Sequence, residues 1–96
     1  MNIKGYEVEK LNDPTGIIEG DRYEFLLNLE VDEEDELYSE EGVYLKVIFA
    51  VNESGSRIAQ YQFYEVNSNK LLDFGMEEEE EQVVLAYCGE HYKAVL

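Results

Sequence analysis

Three observations predict an α+β domain, a four- to five-stranded antiparallel meander sheet with one C-terminal amphipathic helix packed on one face. Several stretches alternate apolar and polar residues, the last segment has helical spacing, and the connections between strands are too short for crossover helices. Ninety-six residues, 45% of them apolar, suffice for one domain over residues 1–96 with a single core.

In "KGYEVEKL", Tyr6 and Val8 fall on one side and Glu7 and Glu9 on the other, the period of a strand. "NDPTG" interrupts it. Asp13 and Pro14 suit the first two positions of a type I turn and Gly16 the fourth. "RYEFLLNLEVD" is the clearest strand: Tyr23, Phe25, Leu27, Leu29 and Val31 share a face opposite Glu24, Asn28, Glu30 and Asp32, with Leu26 the only apolar intruder there. Val43, Leu45, Val47, Phe49 and Val51 repeat that pattern. Their opposite positions, Tyr44, Lys46, Ile48 and Ala50, are also largely apolar, which predicts a central strand.

"NESGS" supplies hairpin residues leading into "RIAQYQFYEV", where Ala59, Tyr61 and Phe63 alternate with Gln60, Gln62 and Tyr64. "NSNK" marks another turn before a short fifth strand, "LLDF". A helical projection from Glu77 onward places Val84, Leu85, Cys88, His91, Tyr92 and Val95 on one stripe. Glu79, Ala86, Glu90 and Lys93 lie opposite. That stripe is expected on Tyr23, Phe25, Leu27, Val47 and Phe49.

Charge constrains function more than any motif. Twenty-three acids against seven bases give a net charge of −16, which disfavours direct binding to nucleic acid or to an anionic membrane. No apolar run approaches the ~20 residues of a membrane helix, and the N-terminus lacks the continuous apolar stretch of a signal peptide. With a single cysteine, Cys88, the chain reads as cytoplasmic.

Thirteen acids sit in two runs, Glu30 to Glu41 and Glu77 to Glu81. Glutamates in the first turn of a helix interact favourably with its positive end, by ~0.3–1 kcal/mol each. Five exceed that need. The expected partner-binding surface is therefore acidic, comprising Asp32, Glu33, Glu34, Asp35, Glu36, Glu78, Glu79 and Glu80, and the expected partner is a basic protein.

Other motifs carry less. Asp73-Phe74-Gly75 matches the metal-binding tripeptide of kinases, but the phosphate loop, strand lysine and catalytic-loop aspartate are missing. Asp73 is expected as an N-cap or turn residue, Phe74 in the core, and Gly75 as the hinge into the helix. Read as a calcium loop from Asp32, the acidic segment places Leu37 sixth and Val43 twelfth, where glycine and glutamate are required. A short helical turn or solvated loop fits it better.

Cys88 and His91 have the spacing of a thiol–imidazole pair or of two metal ligands. No other cysteine or histidine completes a site, and core packing is the expectation. Of the eight tyrosines, Tyr44, Tyr61, Tyr64, Tyr87 and Tyr92 suit either contact surfaces or half-buried strand positions.

"YEVEKLNDPTGI", "GDRYEFLLNLEVDEEDELYSEEGVYLKVIFAVNE" and "LDFGMEEEEEQVVLAYCGEHY" together resemble a small uncharacterised family of bacilli, the YflH-like sequences. The resemblance implies a stand-alone cytosolic bacterial protein and carries no functional residue. The function expected from the sequence is a non-enzymatic protein-interaction or regulatory module. The alternative is a small-ligand or divalent-ion binding domain using the acidic loop. No catalytic residue, cofactor or metal site is assigned.

Overall fold

The computed structural model describes residues 2–12 and 20–95. The expected Asp13–Pro14 turn lies outside them. Five strands follow in chain order: β1 (Asn2–Leu11), β2 (Asp21–Glu30), β3 (Val43–Asn52), β4 (Gly55–Glu65) and the short β5 (Leu71–Leu72). They form one antiparallel sheet in the order β1-β2-β3-β4-β5, and α1 (Glu78–His91) closes the chain with a 3-10 turn at Tyr92–Val95. The meander and its helical cover are those the alternation predicts. No helix among the described residues is long and apolar enough to cross a membrane.

The core lies between the sheet and α1. Tyr23, Phe25, Leu27 and Leu29 of β2 pack beside Val43, Leu45, Val47 and Phe49 of β3, with Phe63 from β4 and Val84 and Cys88 from α1. Each strand sends every second side chain inward, so the two central strands supply most of this cluster. Tyr92 closes one end, its ring 5.2 Å from Tyr23 and 5.5 Å from Phe49.

Two bulges reset the alternation. One lies in β1 between Ile3 and Gly5. The other lies in β4, where Phe49 pairs with Ile58 while Ile48 pairs with Gln60, leaving Ala59 as the extra residue. Ile58 therefore takes the core-facing position that simple alternation assigned to Ala59.

The helix stripe is narrower than its projection. Val84 and Cys88, four residues apart, are its fully buried members, while Leu85, Tyr87, Tyr92 and Val95 pack at its margins. Tyr87 joins Tyr6 and His91 in an aromatic cluster that holds edge strand β1 to the end of α1. Its ring stacks 4.1 Å from His91, and Tyr6 lies 4.5 Å from the same imidazole.

Candidate functional site

The acidic segment between β2 and β3 forms successive turns rather than a helical turn. The Asp35 amide donates to the Asp32 carbonyl at 3.0 Å, the Tyr38 amide to the Asp35 carbonyl at 3.0 Å, and the Leu37 amide to Asp35 Oδ1 at 2.9 Å. The far end of the loop is tied to the β4–β5 turn. Ser39 Oγ donates to Glu65 Oε2 at 2.8 Å, and Asn67 Nδ2 donates to Glu41 Oε2 at 2.7 Å. Ser68 Oγ donates to the other Glu65 oxygen at 2.8 Å, and these hydroxyls, Ser68 before Ser39, hold the Glu65 carboxyl below its ordinary pKa.

The second acidic run begins α1. Glu77 is the N-cap, and its amide donates to Glu80 Oε1 at 3.0 Å, one half of a capping box. Asp73 accordingly is not the cap; it lies in the exposed link before it. Tyr61 fastens that link, accepting a hydrogen bond from the Met76 amide at 2.8 Å. Phe74, expected in the core, is 40% exposed: no helix or strand period governs the link, and the chain there passes outside the sheet.

Folding brings the two runs together. Asp35 and Glu36 of the loop and Glu77 and Glu80 of the helix start line one cleft of about 380 Å³, whose apolar lining includes Leu37, Phe63 and Phe74. Glu78 and Glu81 take another side of the helix and line a groove of about 500 Å³ beside β4, with Ile58, Tyr61 and Leu85. Of the acids expected to form one surface, Asp35, Glu36 and Glu80 thus share the cleft, and Glu78 lies in the neighbouring groove. Asp32, Glu33, Glu34 and Glu79 are exposed and line neither. Helical rotation of 100° per residue separates consecutive glutamates, which a run in sequence conceals.

Among the described residues no three His, Cys, Asp or Glu side chains converge closely enough to hold a metal ion. Cys88 and His91 do not act as a pair. Burial pushes the Cys88 thiol up to about 12, and His91 Nδ1 lies 2.7 Å from the Tyr87 carbonyl, which can only accept, so Nδ1 is the protonated nitrogen.

The fold and cleft define an acidic α+β domain whose charged segments meet beside the exposed ring of Phe74. The chain belongs to DUF6509, a family of unknown function whose model matches residues 1–95. No curated protein and no solved structure matches it.

Proposed function

We propose that this protein is a non-enzymatic interaction or regulatory module that receives a basic protein partner at the cleft between the β2–β3 loop and the start of α1. The observation that supports this reading is the meeting of Asp35 and Glu36 with Glu77 and Glu80 around Phe74 and Leu37. Long basic side chains suit such a lining, because their aliphatic stems can cover apolar surface while the charged head meets carboxylates. A net charge of −16 steers basic proteins toward the domain and repels nucleic acid and anionic lipid. On the YflH-like resemblance, the setting we propose is the bacterial cytoplasm.

The test is capture of partners from lysate at low and high salt, with the native chain and with a Glu36→Gln, Glu80→Gln variant. Gln at position 80 keeps an oxygen to accept from the Glu77 amide, so the helix start is preserved. The expected result is a basic partner retained at low salt, released at high salt and retained less by the variant. Equal retention by both proteins removes the cleft from the proposal.

A further inference from the structure

We infer that the sheet face turned away from α1 is the contact surface of a homodimer, two copies stacking face to face through it. The strand registers place Leu26, Tyr44, Ile48, Tyr64 and Leu71 on this face. None belongs to the core cluster or packs against it. Tyr44 and Tyr64 stack with ring centroids 5.2 Å apart, and Leu71 is 52% exposed. A solvent-facing sheet surface ordinarily alternates to polar residues; these strands do so only in part.

Charge selects the occupant. In a chain with twenty-three acids and seven bases, this face carries three of the bases, Arg22, Lys46 and Arg57. Its acids are Glu7 and Glu9 on β1, Glu24, which meets Lys46 at 3.8 Å, and Glu30 at the corner. The face is near neutral and, Glu30 apart, the acidic runs lie elsewhere, so a second copy can approach here with little of their repulsion. Its charge is also graded, with Glu7 and Glu9 on β1 and Lys46 and Arg57 on β3 and β4. A two-fold axis along the strands places β1 of one copy over β4 of the other, so that Glu7 and Glu9 lie over Gln62 and Gln60, with Lys46 and Arg57 as their diagonal neighbours. Four strands about 4.8 Å apart and ten residues of about 3.3 Å each outline roughly 630 Å². That reaches the ~600 Å² per partner at which specific interfaces begin.

The net charge of −16 on each copy opposes association, so added salt strengthens this dimer, the reverse of its effect on a basic partner. Failure here is thus distinguishable from failure of the acidic cleft. The experiment is sedimentation equilibrium of the native chain across protein concentration at low and high sodium chloride, with Gln60→Glu and Ile48→Glu alongside. Gln60 pairs with Ile48 on this face and is exposed, so a near-isosteric carboxylate there leaves the monomer's packing untouched. Expected is a rise from 11.2 kDa toward twice that mass, enhanced by salt. Gln60→Glu should raise the dissociation constant by about tenfold or more, because it buries an unpaired charge in the contact. A native chain that stays monomeric at every concentration and salt overturns the inference. So does a dimer that Gln60→Glu leaves unchanged, whether or not Ile48→Glu folds.

Discussion

Cys88 is fully buried between α1 and the sheet, and the thiol behaves accordingly. Held up to about 12 by burial, it is protonated throughout the neutral range. A thiol reagent should label the native chain slowly, at the rate of unfolding, and label the denatured chain fast; rapid native labelling contradicts the packing described. The pH dependence has a definite sign. Unfolded, the thiol ionises near 9.0; folded, it does so only near 12. The stability linked to the protonated thiol is thus complete below 9.0 and is lost as pH rises between those values. Denaturation midpoints measured on either side of 9.0 should fall less steeply for Cys88→Ala than for the native chain.

Tyr61 makes a second residue-scale case. Its ring packs against Phe63 while its hydroxyl accepts from the Met76 amide. Tyr61→Phe keeps the ring and orphans that amide, and should cost ~1–2 kcal/mol in chemical denaturation. A variant as stable as the native chain shows the amide is satisfied by water.

Among elements, β2 and β3 were legible in the sequence because each carries an apolar residue at every second position and both lie in the sheet interior. The helix was legible as a helix, but its width was not. Val83 is 54% exposed and Leu85 half-buried, so the helix–sheet contact narrows onto Val84 and Cys88. Truncating a fully buried aliphatic on either side, Leu27→Ala or Val84→Ala, should cost ~2–5 kcal/mol, with the spread set by how far the surroundings collapse. If both leave the urea midpoint in place, the contact between α1 and the sheet is misassigned. The bulge at Ala59 left no mark in the sequence, since Ile58 and Ala59 are both acceptable inward residues and only pairing with β3 decides between them. The meeting of Asp35 and Glu36 with Glu77 and Glu80 was hidden for a related reason. It is a non-local contact set by the path of the chain over β4 and β5, whereas the sequence showed only that two runs existed.

For the whole molecule, the acids have positions as well as a sum. Those at the α1 start face the positive end of the helix dipole, which offsets part of their mutual repulsion. Gly20 constrains the opposite end of the sheet. With φ +83 and an added Cβ only 2.5 Å from the Val51 carbonyl oxygen, it lets the chain enter β2 against the end of β3. Phe74 remains outside the core in the 43 × 26 × 23 Å body, on the same cleft as four carboxylates.

The irregularity at Ala59 also bears on how copies of this protein avoid the wrong kind of association. β5 pairs with β4 only at Phe63 and Tyr64, so among the described residues the stretch from Arg57 to Gln62 has no strand on its outer side. A straight, unpaired strand is a template on which other chains can grow as fibrils; an extra residue breaks the even spacing of its amide donors and carbonyl acceptors. Deleting Ala59 restores strict alternation, with Ile58, Tyr61 and Phe63 inward and Arg57, Gln60 and Gln62 outward, so the monomer fold is retained. The deletant should nevertheless form thioflavin-binding fibrils faster than the native chain at equal concentration and high salt, where repulsion among acidic chains is screened. Equal lag times for the two proteins assign that protection to charge alone.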